Sequence, residues 1–294
     1  MKLIKQSFEI LDQQCGLEGI YKQIEISGRT CYKSEDKITE DSAKEFVDRM
    51  IKSGHGAMLE HGTVYLAIPI SEWRCTDDYR DSYISNPYSN VNDSLVDWEN
   101  NEGTVYITTN LRVLVENGWL DDLQYICEPT EYHEKRITVK FTTDQGILRE
   151  FTRHRVFSFA VESTRYCNYT KDKFSNEITF IQPNWISDED VKDYHINYNY
   201  FIDQDNNHIT AVNRFMSALK NAEYFYMELI KLGWKPQQAR NILPLATKCD
   251  MIMTGFVSDW KHFFELRDAA SAHPQAQELA HSLHETFIQR GLVE

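Results

Sequence analysis

A chain of 294 residues with 41% hydrophobic and 26% charged residues has ordinary globular composition, which excludes a disordered or fibrous chain. Its net charge of −14 repels nucleic acid, so an anionic ligand would need a local pocket of positive charge. No apolar run approaches the ~20 residues of a membrane helix, the N-terminal MKLIKQSFEILDQQ has no signal-peptide core, and Cys15, Cys31, Cys75, Cys127, Cys167 and Cys249 form no C-x-x-C pair or zinc-like spacing; the expectation is a cytoplasmic protein with reduced thiols and with no metal, membrane or nucleic-acid partner.

Taken in chain order, Ala43, Phe46, Val47, Met50 and Ile51 recur at helical spacing over Asp41 to Lys52, and Gly54 closes that helix. Thr63 to Ile70 and Ile137 to Thr143 alternate and are β-rich, which predicts strands. Between them, Ser71 to Arg136 is too long for one loop and reads as an inserted segment. Within it Ser82 to Gly103 is polar and irregular, and Asn110 to Glu116 and Leu120 to Cys127 read as short helices. A helix is predicted from Ile147 to about Arg155, then a polar stretch to Asn207. An amphipathic helix follows from Ile209 to Leu232, stopped by Gly233, and a short one over Pro236 to Ile242 with proline near its first position. Cys249 to Phe256 suits a strand, and Ser258 to Leu266 and Pro274 to Gln289 suit helices. The mixture predicts an α+β fold rather than βαβ alternation. Neither G-x-G-x-x-G nor a P-loop is present.

The chemistry concentrates in Arg153 to Arg165, RHRVFSFAVESTR. Arg149 and Arg153 lie four apart and would share a helix face. Arg155, His154, Ser158, Ser163, Thr164 and Arg165 add charged and hydroxyl groups of the kind that bind phosphate and polar rings. By spacing alone the same residues also suit a solvated helix face with surface ion pairs.

The full string separates the two. Arg153-His154-Arg155, seven residues, then Ser163 resembles the RHR-x7-S signature of the flavin-dependent thymidylate synthases, and Arg165 matches two residues on. The run from Glu162 to Phe174 resembles a variant found in that family. Further matches follow the family's order: Arg29-Thr-Cys-Tyr32, Gly54-His55 with Glu60-His61, Arg240-Asn-Ile-Leu-Pro-Leu245, and Trp260-Lys-His262-Phe with Leu266-Arg267 and His273. Residues 71–136 have no counterpart in the short members.

The resemblance implies one family-type domain over 1–294, an α+β fold of mixed helices and antiparallel sheet with an insertion at about 71–136, and an enzyme. The implied activity is methylation of dUMP to dTMP, with 5,10-methylenetetrahydrofolate as carbon donor and NADPH as reductant through FAD, in a homotetramer whose sites combine several subunits. No cysteine follows a proline, so the cysteine nucleophile of the classical thymidylate synthases has no candidate here. By the same resemblance Arg267 is the catalytic residue, placing a cation against the uracil ring. Glu150, Arg153, Glu162, Ser163, Arg165, Arg240 and Arg267 are the implied dUMP contacts. His55, Arg153, His154, Arg155 and His262 are the implied FAD contacts.

Three positions depart from the family. Val161 replaces an acidic or amide residue, with Glu162 one place on; Ala57 replaces a Ser or Thr; Ser258 replaces an Arg that meets the FAD phosphates. A nucleotide- or flavin-binding homologue without catalysis is therefore the alternative. A metal hydrolase has less support, since His55 with Glu60-His61 fits neither H-E-x-x-H nor H-x-x-E-H.

Overall fold

The computed structural model describes residues 1–73, 83–171, 174–192 and 210–294. Cys75, Ser82, residues 172–173 and 193–207 of the predicted polar stretch, and Ile209 at the predicted helix start lie outside the described residues. The described elements are β1 (Lys2–Ile4), β2 (Ser7–Ile10), α1 (Gly16–Tyr32), α2 (Ser42–Lys52), α3 (Gly56–Leu59), β3 (Thr63–Pro69), β4 (Asn90–Asn92), β5 (Thr104–Asn110), α4 (Leu111–Asn117), β6 (Arg136–Asp144), α5 (Gln145–Phe151), β7 (Ser158–Val161), β8 (Thr179–Ile181), α6 (Asp188–Lys192), α7 (Ala211–Lys231), α8 (Pro236–Ala239), β9 (Lys248–Phe256), α9 (Val257–Arg267) and α10 (Pro274–Gln289). The fold is α+β, as expected.

The central sheet is antiparallel, in the order β2-β6-β9-β7. β9 lies between β6 and β7, and its residues from Cys249 to Gly255 are buried, so it reads as a near-continuous apolar run. Val139, Phe141, Met251 and Met253 of this sheet share a core with Phe151, Trp260, Phe263, Leu283 and Phe287 from α5, α9 and α10. A second antiparallel sheet has the order β3-β5-β4. β1 and β8 form a parallel pair.

The segment 71–136 differs from its sequence reading. Its stretch Ser82 to Gly103 is not wholly irregular, because β4 lies within it and pairs with β5. β5 was not foreseen, although Thr104 to Asn110 (TVYITTN) is β-rich; it pairs with β3 along its whole length, from Thr63↔Asn110 to Pro69↔Thr104. Val105, Ile107, Leu111 and Leu114 join Ile20, Ile24, Phe46 and Val47 in one cluster, so the segment packs on α1 and α2. The Asn110 side chain accepts the Val113 amide at 3.2 Å and caps α4, while Gly118 closes it at φ 72°. Leu120–Tyr125 is a 3₁₀ helix.

α1 was also not foreseen. Gly28 sits in its interior because a Cβ there would stand 2.4 Å from Phe46 Cζ, so glycine lets α1 and α2 approach closely. The predicted helix from Ile147 to Arg155 is corrected to α5. It begins where the Asp144 carboxylate accepts the Ile147 amide at 2.8 Å and ends at Phe151. Arg153 and Arg155 therefore lie in the turn between α5 and β7, so Arg149 and Arg153 do not share a helix face.

Candidate functional site

α5, the turn after it and the end of α9 converge on one arginine. Arg267 ends α9 and is largely buried. Its Nε donates to His154 Nε2 at 3.0 Å, Nη1 to the Glu150 carboxylate at 2.7 Å and Nη2 to the Glu150 carbonyl at 2.7 Å. A guanidinium has five N–H donors, so two have no acceptor among the described residues.

His154 is buried against Phe263, with ring centroids 5.1 Å apart, and 6.4 Å from the His262 ring. Burial, then the Arg267 charge, then His262 push its pKa down to about 4. It is therefore neutral at pH 7, accepts at Nε2 and carries its proton on Nδ1. The turn is fixed from within, since the His154 amide bonds the Phe151 carbonyl at 3.0 Å and the Phe157 amide bonds the His154 carbonyl at 3.2 Å. Phe157 packs on Trp260 over Gly255, where a Cβ would meet the Phe157 ring at 2.4 Å.

The other predicted residues divide into three groups. Arg153, Arg155 and Arg165 are exposed and make no side-chain hydrogen bond or ion pair among the described residues; Arg165 lies 5.7 Å from the Tyr166 ring centroid. In a chain with 45 acidic side chains, three exposed guanidiniums without a carboxylate partner leave their charge free for an anion. Ser163 lies in the turn after β7, and Arg240, from the 3₁₀ helix Arg240–Ile242 after α8, reaches that turn. The Ser163 amide bonds the Cys31 carbonyl at 3.1 Å, and Arg240 Nη1 donates to Thr164 Oγ1 at 3.1 Å.

The third group does not join the Arg267 cluster through a bond. His55 is exposed at the start of α3, and His262 is exposed and bonds Glu265 at 3.1 Å. Glu162 is committed elsewhere. Its carboxylate accepts from Lys248 Nζ at 2.8 Å and the Asp250 amide at 3.1 Å, and lies 3.6 Å from Lys33 Nζ. Lys33 and Lys248 also pair with Asp250. Burial works against the charge of Asp250, but the two lysines outweigh it and hold its carboxyl well below the usual range. Burial likewise opposes the Lys33 charge, and Glu162 and Asp250 raise its pKa regardless.

Sequence reasoning missed this four-membered network. Its visible sign was Asp250, an acid inside the apolar run CDMIM. Ser258, where the family carries an arginine, donates its amide at 3.2 Å and its hydroxyl to Glu134, whose other oxygen accepts Asn90 Nδ2 at 3.0 Å. Glu60 pairs with Arg112. His61 is buried on Thr254 Oγ1 at 2.8 Å, with its pKa pushed down to about 3 by burial and then by Arg136. Glu60 and His61 are thus held by Arg112 and Thr254, and His55 is exposed.

No described helix is long and apolar enough to cross a membrane. A probable flavin-dependent thymidylate synthase of Paramecium bursaria Chlorella virus 1 is 26% identical over 152 residues, covering 52% of this chain and 66% of that protein. A flavin-dependent thymidylate synthase of Synechocystis is 28% identical over 153 residues, with the same two shares. The chain thus spans 66% of the length of these two relatives. A crystal structure of the UMP/dUMP methylase PolB from Streptomyces cacaoi bound with 5-Br dUMP aligns with a TM-score of 0.42 and 18% identity, over 100% of this chain and 99% of that one. Residues 129–290 match the sequence model of one family; they hold Arg153, Arg240 and Arg267 with the turns that carry them, and the chain belongs to the thymidylate synthase complementing protein family.

Proposed function

We propose that this chain is a flavin-dependent thymidylate synthase that methylates dUMP to dTMP, with 5,10-methylenetetrahydrofolate as carbon donor and NADPH as reductant through FAD. The observation that carries the reading is a largely buried Arg267 fixed by Glu150 and His154, with the exposed guanidiniums of Arg153 and Arg155, unpaired among the described residues, in the turn that also carries His154. Arginines of that kind fit phosphates and ring carbonyls. In this reading the chain is one domain and works as a homotetramer in the cytoplasm.

The donor set fits a flavin nucleotide at one end and less well at the other. Arg153, Arg155 and neutral His154 supply donors and positive charge, and in this reading they hold FAD together with His55 and His262. Around Ser258 the chain offers the Glu134 carboxylate instead of a cation, so the FAD phosphates depend on Arg153 and Arg155. When bound, the flavin supplies one-carbon and hydride transfer, and the protein supplies binding and electrostatics.

Arg153, Ser163, Arg165 and Arg240 bind dUMP. Arg267 is the catalytic residue: its two spare N–H donors and its charge stabilise the anionic form of the uracil ring. Glu150 and His154 fix that guanidinium before substrate arrives, which lowers the cost of ordering it. Glu150 is thereby a positioning residue as well as a dUMP neighbour. Glu162, next to Ser163 in sequence, is held by Lys248 and Lys33 and would reach dUMP only by giving up one of those partners.

Purified protein should show a flavin absorbance spectrum or gain one on adding FAD. Arg267→Ala should retain that spectrum and lose most dTMP formation. A colourless protein that takes up no FAD removes the reading.

A further inference from the structure

A pocket with a buried guanidinium on its lining lies away from the Arg267 cluster. A cavity of about 310 Å³ is walled by Ile10, Ile20, Tyr65, Ile126 and Ile137, with Arg136 on its lining. It shares no lining residue with the group of Glu150, His154 and Arg267. Its volume is at the low end of small-molecule sites, roughly 300–1,000 Å³.

Arg136 is only 7% exposed, and it has no carboxylate within ion-pair distance among the described residues. Nη1 donates to the Glu60 carbonyl at 3.1 Å and to Thr63 Oγ1 at 3.4 Å. Nε is buried without an acceptor, and Nη2 has none among the described residues. Glu60, whose charge reaches Arg136 from beyond ion-pair distance, is taken by Arg112. Burial lowers the Arg136 pKa to about 10, so the side chain stays charged at neutral pH.

Glu60 and Asp259 act on Arg136 only from a distance, and a buried charge without a close counter-charge costs several kcal/mol as an order of magnitude. Such a group is retained where something supplies the missing charge. The other charges on the lining are mostly of the same sign. Lys135 is exposed and unpaired among the described residues, and Arg290 is bonded to Asp12 at 2.7 Å. Three cations face one carboxylate, a surplus of two positive charges (3 − 1) in a chain whose net charge is −14.

We propose that this cavity is a binding site for a small organic monocarboxylate, whose anionic end meets Arg136 and Lys135 and whose apolar body fills the space between Ile10, Ile20, Ile126 and Ile137. One negative charge balances the one desolvated guanidinium. A dianionic phosphate would bring a second charge against the apolar part of the lining, which includes four isoleucines, where its desolvation is not repaid. The site goes beyond the proposed dUMP and FAD chemistry and does not depend on it.

Calorimetric titration with sodium hexanoate, sodium benzoate and inorganic phosphate at constant ionic strength tests it. The expected result is saturable binding of hexanoate or benzoate at one site per chain, with phosphate at least about tenfold weaker. Arg136→Met should weaken the carboxylate at least about tenfold. Lys135→Glu, an exposed change that leaves the fold intact, should weaken it about fivefold or more. Saturating dUMP should leave the titration unchanged. The proposal is overturned by no saturable binding, by phosphate as the tightest probe, by unchanged affinity in Lys135→Glu, or by competition with dUMP. Each readout is binding, so the result stands whether or not the protein makes dTMP.

Discussion

Replacing Arg267 with alanine tests the geometry of the site before any substrate is added. The change removes donors from three acceptors: His154 Nε2 at 3.0 Å, the Glu150 carbonyl at 2.7 Å and the Glu150 carboxylate at 2.7 Å. The carboxylate is 46% exposed, so water replaces its partner and that pair contributes only ~0–1 kcal/mol. The other two acceptors are less accessible, and each orphaned acceptor costs ~1–3 kcal/mol. A destabilisation of about 2–6 kcal/mol follows, read from urea unfolding followed by tryptophan fluorescence. A second readout isolates the contact itself. Arg267 is the second cause of the lowered His154 pKa, after burial. In Arg267→Ala the value should rise from about 4 but stay below the ordinary ~6.5, as seen by NMR titration of the imidazole. Glu150→Gln should cost less than ~1 kcal/mol, because it weakens only the half-exposed pair. An Arg267→Ala protein within ~0.5 kcal/mol of the parent, with His154 unmoved, would refute the reasoning.

Three further outcomes follow from buried groups. Asp250→Ala leaves Lys33 with Glu162 and Glu35, and Lys248 with Glu162; breaking such a network should cost ~3–5 kcal/mol, measured by denaturant unfolding, and a loss under ~1 kcal/mol would contradict it. His61 and His154 have folded pKa values of about 3 and about 4, both below the unfolded ~6.5. Their contribution is therefore complete above pH ~6.5 and is lost as pH falls toward those values, with a slope of up to ~2.7 kcal/mol per pH unit for two protons; His61→Gln should reduce that slope by about one proton's share. Gly28→Ala places a Cβ 2.4 Å from Phe46 Cζ. Overpacking at ~1–3 kcal/mol should exceed the ~1 kcal/mol gained in helix propensity, and Phe46→Leu should recover part of the loss in the double mutant.

The family was legible where chemistry is written as residue type and order. The turn Arg153 to Ser163 and the distant Arg240 and Arg267 carry the resemblance in sequence, and residues 129–290 match the family's model. Contact partners were not legible. Glu150 and His154 reach Arg267 across more than a hundred residues, and nothing in local spacing encodes such a pairing. Helices with an apolar stripe were read correctly, as with α2 and its Phe46, Val47 and Met50. α1 was hidden because its buried face includes Gln23, Glu25, Ser27, Gly28 and Thr30. Glu25 is satisfied inside by Arg29 and Ser42, a long-range solution that a hydrophobic pattern cannot display. α5 was drawn too long because RHR is compatible with helix propensity, whereas the chain leaves the helix at Thr152 to reach β7. β5 was missed because the polar composition before it suggested irregular structure, yet pairing with β3 decides its state.

The most direct measurement of the central claim is dTMP formation by the purified protein, supplied with dUMP, 5,10-methylenetetrahydrofolate, NADPH and FAD. The account predicts dTMP that requires all four components and falls sharply in Arg267→Ala while the flavin spectrum stays. Flavin and dUMP bound with no dTMP formed, or dTMP formed equally well by Arg267→Ala, would contradict it.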